Sequence, residues 1–467
     1  MSLSYSPITS EFISQLKNLM GEAFVLTQQS ELAAYAQDET EDLTYFPEVV
    51  VKPHTAEEIS QVLKWCNQYN VPLTPRGAGT GLSGAALPIY GGLLLSMERF
   101  NSILEIDEQN LQARVQSGVI TEVFMNAVED KGLYYPVDPS SKGSCFLGGN
   151  VAHGSGGPRV VKYGTIREYI LNLKVVLPTG EIIWTGANTL KFASGYNLTQ
   201  LFIGSEGTLG IVTEIVVKLI PKPAQNVLLL ASFTSNEQAC EAVSAIFRAG
   251  ITPSAVEFME RKGVEWVMKN DGVVFDLKDQ VAALLLIELD GPSLDTLYET
   301  GEQLNAVLEQ YHCVEVLFAD TTSQKEELWR MRRTMAVSVK ANSVYKEEDT
   351  VVPRAALPQL IAGIKRIGFA YGFESICYGH AGDGNLHVNI IKGNMSDEDW
   401  QHKLKKGIAE IFELTVSLGG TLSGEHGIGL VQKEYMHLKF SEVHLNLMRH
   451  IKQVFDPHGI LNPGKIF

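Results

Sequence analysis

The chain has no C-x-x-C pair, and its five cysteines, Cys66, Cys145, Cys240, Cys313 and Cys377, are odd in number and widely spaced. That pattern argues against an iron–sulfur cluster and against a disulfide framework, so five reduced, buried thiols are expected. Positive charge is also short. Lys and Arg number 38 against 54 Asp and Glu, a net charge of -16, which disfavours a nucleic-acid partner and a polybasic membrane patch. No apolar run reaches the ~18 residues needed to cross a bilayer. The greasiest, Val281–Leu289, carries Glu288 and reads as a buried strand. No arginine precedes Arg76 and no signal-peptide core is present. A cytoplasmic protein is expected, with peripheral membrane association as the alternative.

What is abundant is glycine in clusters. In Pro75-Arg-Gly-Ala-Gly-Thr-Gly-Leu-Ser-Gly-Ala-Ala-Leu-Pro88, small residues let the backbone bend so that several N–H groups converge on one diphosphate. Gly79, Gly81 and Gly84 match G-x-G-x-x-G, but a Rossmann turn must open a helix. Here the chain runs through Pro88, Gly91 and Gly92 into Leu93–Ser96, which reads as a strand. The expectation is a phosphate cradle set between two strands. Two further segments need the same explanation: Tyr135–Ser144 with Gly148-Gly149-Asn150 and Gly154–Gly157, and Phe202–Thr213. Gly- and Pro-rich stretches between well-patterned strands are more often binding loops than filler.

At 467 residues the chain predicts about three domains, or two large ones. Thr55, with Glu58 three residues on, predicts a capped helix through Tyr69 whose Ile59, Val62, Leu63 and Cys66 share a face. Leu171–Leu177 and Glu181–Trp184 read as a hairpin, and Pro221-Lys-Pro223 marks a domain boundary. Beyond it, strands and helices alternate as in an α+β domain.

In that second half, His380-Ala-Gly-Asp-Gly-Asn-Leu-His387 joins two apolar strand-like runs, Ser375–Tyr378 and Val388–Ile391. A tight turn there sets the two histidines at neighbouring strand ends, with Asn389 on the face of His387. Ser423-Gly-Glu-His-Gly-Ile-Gly429 adds Glu425 and His426. Two imidazoles and a carboxylate suit a divalent cation, zinc or manganese ahead of magnesium because nitrogen ligands are present. Trp329-Arg-Met-Arg-Arg333, within a predicted helix from Gln324 to Lys340, is either a solvated basic face or the source of an Arg that forks onto a carboxylate.

Together the Pro75–Pro88 loop, Tyr135–Ser141, Gly148–Asn150, Gly204–Thr213, His380–Asn389, Ser423–Gly427 and Asn462-Pro-Gly-Lys465 resemble the FAD-linked D-2-hydroxyacid dehydrogenases of the vanillyl-alcohol-oxidase superfamily. That family contains D-lactate dehydrogenase, the glycolate oxidase FAD subunit and D-2-hydroxyglutarate dehydrogenase. The resemblance implies an α+β fold: a two-lobed FAD-binding domain over residues 1–222, an α+β substrate cap domain over 223–423, and a C-terminal helical segment, 424–467, returning to the FAD domain. It implies that Pro75, Arg76, Gly77, Ala78, Gly79, Thr80, Gly81, Ser83 and Gly84 hold the pyrophosphate. Asp138, Pro139, Gly148, Gly149, Asn150, Gly156, Glu206, Gly207 and Ile211 would line the FAD, and Asn462 would approach the flavin. His380, His387 and Glu425 fall on the family's metal ligands, His426 on its base, and Arg332, Asn389 and Lys346 on substrate contacts.

The chain departs from its relatives where they carry Thr-Asn-Ala and it has His153-Gly-Ser155, and at Ala336, where hydroxyglutarate enzymes place a threonine. Ala78 stands where covalent-flavin relatives have histidine, so the FAD is expected to be non-covalent. The expected activity is oxidation of D-lactate or a similar small D-2-hydroxy acid to the 2-oxo acid, with D-2-hydroxyglutarate as the alternative substrate. A quinone or an electron-transfer protein would accept the electrons, and a homodimer is compatible with this reading. From a different class, a metal-dependent hydrolase would use the His/Glu cluster and leave the glycine segments without a task. A nucleotide-binding module would leave the cluster without one.

Overall fold

The computed structural model describes residues 4–272 and 275–467. The chain forms two compact units, one of residues 1–155, 165–222 and 425–467 and the other of residues 156–164 and 223–424.

In the first unit, the helix Ala56–Tyr69 begins where the Thr55 hydroxyl accepts the Glu58 N–H at 3.1 Å and stops where Asn70 turns left-handed at φ 55°. The Glu58 carboxylate accepts the N–H of His54 at 2.6 Å, so the predicted capping box closes one residue upstream of the N-cap. The buried face of the helix, Ile59, Val62, Leu63 and Cys66, joins one core with Phe12 and Leu16 of the helix Ser10–Met20. Beneath them lies a four-stranded sheet in the order 25–26, 49–51, 93–96, 73–76. Val49–Val51 and Leu73–Arg76 both run parallel to Leu93–Ser96. Burial of every residue of Val49–Val51 and Leu93–Ser96 is why neither strand alternates. The C-terminal stretch extends the sheet edge: Ile460 accepts the Leu73 N–H at 2.8 Å, and Asn462 donates its N–H to the Leu73 carbonyl at 2.7 Å. A second, antiparallel sheet runs 103–107, 112–116, 211–218, 170–176, 182–184. The predicted 171–184 hairpin forms its edge.

The second unit is built on a seven-stranded antiparallel sheet in the order 313–319, 225–233, 283–291, 255–260, 374–379, 385–391, 345–351. One face carries Leu228, Leu284, Leu286, Met259, Ile376 and Tyr378, packed against Val264, Trp329, Met331, Met335 and Val339. These come from the helices Arg261–Asp271, Thr322–Arg333 and Met335–Asn342. The single helix predicted over 324–340 is thus two, broken at Thr334, whose hydroxyl donates to the Arg330 carbonyl at 3.0 Å. Residues 156–164 belong to this unit, pinned by Arg159 onto Glu288 with Nε–Oε1 3.1 Å and Nη2–Oε2 3.0 Å.

Candidate active site

In the first unit the three glycine-rich segments meet at one cleft. Several glycines here stand where a side chain would collide. A Cβ at Gly148 would lie 2.5 Å from the Ser117 Cβ, and one at Gly207, where φ is +67°, would lie 2.6 Å from the Pro75 ring. At Gly79 (φ +76°) a Cβ would strike the Arg76 guanidinium. Pro75, Arg76, Gly77, Gly148, Gly149, Glu206, Gly207 and Ile211 line the cleft, together with Ser117, His153, Phe202 and others. Two polar atoms in this lining, Arg76 Nη1 and Ser117 Oγ, are buried and have no hydrogen-bond partner among the described residues. Burial pushes the Arg76 pKa down, with Asp38 and Tyr35 opposing. A cationic donor in a glycine-walled cleft fits a diphosphate.

The other expected cofactor residues divide. Ala78, Gly79, Thr80, Gly81, Ser83 and Gly84 continue the loop beyond the cleft lining, with Gly84 N–H held by the Thr40 hydroxyl at 2.7 Å. Asp138 and Pro139 lie outside the lining, and Gly156 falls in the 156–164 segment counted with the second unit. Gly148 to Asn150 begin a helix, Leu147–His153, instead of a loop. The Asn150 side chain turns inward, accepting from the Thr121 hydroxyl at 2.6 Å and donating to Cys145 Sγ at 3.4 Å. Asn462 is likewise a clamp: its amide donates to the Glu206 carbonyl at 2.8 Å and the Ala85 carbonyl at 3.0 Å. Behind it Lys465 donates to the Leu87 carbonyl at 2.6 Å, and burial pushes its ammonium pKa down to about 8.

His426 is fixed in the first unit through its backbone. Its carbonyl accepts from His153 Nδ1 at 3.0 Å, while the Glu206 carboxylate accepts the N–H groups of Ile428 and Gly429, both at 2.7 Å. Burial raises the Glu206 pKa, with His153 the first opposing charge. Glu206 holds this loop from a positive φ of 51°. His153, the departure noted in the sequence, therefore lies between the cleft and the loop that carries Glu425 and His426.

In the second unit the hairpin 374–391 sets Tyr378 opposite His387 and Ile376 opposite Asn389. His380 lies in the turn, its ring edge-on to His387 with centroids 5.5 Å apart. Its Nδ1 meets Glu257 Oε1 at 2.8 Å, and Glu257 also takes Arg332 Nε at 2.6 Å. Burial works to raise the Glu257 pKa, but the charges of His380 and Arg332 outweigh it and leave it lowered. Arg332 is the one buried residue of the Arg330, Arg332, Arg333 group, and it caps the Tyr378 ring at 5.1 Å. Four atoms in this cluster are buried without a hydrogen-bond partner among the described residues: Arg332 Nη2, Tyr378 Oη and both Asn389 amide atoms. Asn389 stands beside the Tyr378 hydroxyl without completing a bond to it. Buried, unsatisfied polar atoms at this density are where a polar ligand would bind.

Lys346 is not in that cluster. The strand Tyr345–Val351 pairs Lys346 with Ile390 and Glu347 with Asn389, so Lys346 points to the opposite face and Glu347 to this one. Glu347 Oε1 is 3.4 Å from His387 Nδ1. Glu257 against His380 Nδ1 is the kind of carboxylate partner that orients a metal-bound imidazole. Asp349, on the same strand, accepts from the Ser423 hydroxyl at 2.7 Å and the Gly424 N–H at 2.9 Å. Sequence reading missed Glu257, although an acid inside the apolar strand 255–260 was a signal, since a buried carboxylate needs partners. Ser117 gave none.

Two family models match the chain. Residues 47–186 match the FAD binding domain family and residues 222–466 the family of FAD linked oxidases, C-terminal domain. The chain is 39% identical to glycolate oxidase subunit GlcD of Bacillus subtilis over 461 residues, covering 98% of this chain and 97% of that one. It is 36% identical to D-lactate dehydrogenase of Anaerostipes hadrus, over 99% and 98% of the two chains. To D-2-hydroxyglutarate dehydrogenase of Stutzerimonas stutzeri the identity is 35%, over 97% and 98%. Among solved structures, p-cresol methylhydroxylase superposes with a TM-score of 0.80 at 17% identity, over 99% of this chain and 98% of that one, which fixes the fold as the vanillyl-alcohol-oxidase type.

Proposed function

The chain belongs to the FAD-linked oxidases, and from that premise we propose that it is a dehydrogenase oxidising D-lactate or a similar small D-2-hydroxy acid to the 2-oxo acid. The observation that carries the substrate class is the buried cluster of Arg332, Tyr378 and Asn389, whose unpartnered atoms suit a carboxylate and its neighbouring hydroxyl. Arg332 offers Nη2 to the substrate carboxylate while Nε stays on Glu257, so the guanidinium is oriented before the ligand arrives. Asn389 offers both a donor and an acceptor to the hydroxy-acid end. By its motif, His426 is the base that takes the hydroxyl proton.

FAD, when bound in the glycine-walled cleft, supplies the two-electron acceptor. Arg76 and Ser117 would meet its polar groups. His380 and His387 would hold a divalent cation, zinc or manganese, which supplies Lewis acidity. Glu425 joins them by its motif. Assay of the flavin-loaded protein with an artificial dye acceptor tests this reading. D-lactate should reduce the dye and L-lactate should not. Arg332→Met should lower kcat/KM by roughly 10- to 100-fold, the equivalent of one charge-assisted contact. A full-strength Arg332→Met enzyme would overturn the assignment.

A further inference from the structure

Strand register puts an acid where the resemblance placed a lysine. Tyr345–Val351 pairs with Asn385–Ile391 without a register shift, giving Lys346↔Ile390, Glu347↔Asn389 and Asp349↔His387. Side chains alternate strictly along a regular strand, so Glu347 shares a face with Asn389 and His387, and Lys346 does not. Tyr378, opposite His387 on the next strand, lies on that same face. Glu257 and Arg332 complete the row on the strand and helix beyond.

The row therefore has two ends. At one, Arg332 is oriented by Glu257 and has one unused donor nitrogen. At the other lies Glu347, with a side chain 8% exposed and an oxygen 3.4 Å from His387 Nδ1. A hydroxy acid whose C1 carboxylate met Arg332 would extend past Tyr378 and Asn389 towards Glu347.

We propose that Glu347 is a specificity-determining residue that rejects a second carboxylate, so that the substrates of this site are D-2-hydroxy acids bearing one carboxylate. This rests on the D-2-hydroxy-acid reading above. Two carboxylates at close range in a water-poor pocket repel.

The test compares kcat/KM for D-lactate and D-2-hydroxyglutarate, with a dye acceptor, in the flavin-loaded wild type, Glu347→Gln and Glu347→Asp. The wild type should prefer D-lactate by at least roughly tenfold. Glu347→Gln should shrink that ratio by roughly 10- to 100-fold, chiefly by raising turnover of the dicarboxylate. Glu347→Asp, which keeps the charge, should keep the preference. A ratio unchanged in Glu347→Gln, or relaxed equally in Glu347→Asp, overturns the role of the charge while leaving the hydroxy-acid reading intact. If wild type turns over neither acid, the hydroxy-acid reading fails and the inference falls with it. Should Glu347→Gln not retain flavin, competition by D-malate against D-lactate in the wild type decides: inhibition as tight as that by a monocarboxylate overturns the proposal.

Discussion

At the scale of single residues, the second-unit cluster is organised by a carboxylate with no exposure. Glu257 joins Arg332 to His380 through bonds of 2.6 and 2.8 Å. Removing one partner of a buried ion pair leaves the other charge uncompensated, which destabilises by about 3–5 kcal/mol. Glu257→Ala should show that loss in chemical unfolding, together with a kcat/KM decrease on D-lactate of at least tenfold. A variant of wild-type stability would mean that the carboxylate is not needed as a counter-ion. Lys465 predicts a pH effect. Its pKa falls from an ordinary 10.5 to about 8 on burial, so the folded state disfavours the protonated form. The resulting penalty is full below pH 8 and is relieved as pH rises from 8 to 10.5, amounting to roughly 3 kcal/mol. The stability difference between wild type and Lys465→Met should therefore change across that window and be flat below it.

At the scale of elements, the glycine loop and the helix Ala56–Tyr69 make contrasting predictions. Gly79→Ala puts a Cβ at φ +76° against the Arg76 guanidinium, which is otherwise held by the Gln37 carbonyl at 2.7 Å. The displaced Arg76 should empty the cleft of flavin, read as loss of the visible flavin bands from purified protein with the fold retained. Leu63→Ala should instead cost about 2–5 kcal/mol of stability through the cavity it leaves, with flavin stoichiometry unchanged. Elements of this kind were legible because their signals are local: a Thr N-cap, a glycine that only a tight approach requires, an apolar run broken by Gly and Asp. The hairpin carrying His380 and His387 could be read for that reason. The face chosen by Lys346 could not. A one-residue offset between Lys346 and Glu347 is invisible until the partner strand supplies Ile390 and Asn389 as references. The break at Thr334 was hidden because its apolar neighbours keep helical spacing on both sides, and the inward turn of Asn150 depends on Cys145 and Thr121, whose closeness is tertiary.

At the scale of the whole molecule, Ala78 offers no nucleophile to a flavin, so non-covalent retention is the expectation. Acid precipitation should leave the yellow colour in the supernatant, and flavin retained in the pellet would refute non-covalent binding. Exhaustive chelation should abolish turnover while flavin stays bound, with zinc or manganese restoring activity. Full activity of metal-free protein would reduce His380 and His387 to structural roles. The interleaved order of the two units carries a further consequence, for synthesis on the ribosome. Everything the second unit needs has been made once residue 424 is added, whereas the first unit still lacks residues 425–467. Until those residues emerge, Glu206 has neither backbone donor from Ile428 and Gly429, the Ala85 carbonyl lacks its Asn462 clamp, and the sheet edge at Leu73 is bare. The chain of the second unit is thus complete before that of the first, and the contacts that hold Glu206 and the Ala85 carbonyl beside the cleft are among the last to form.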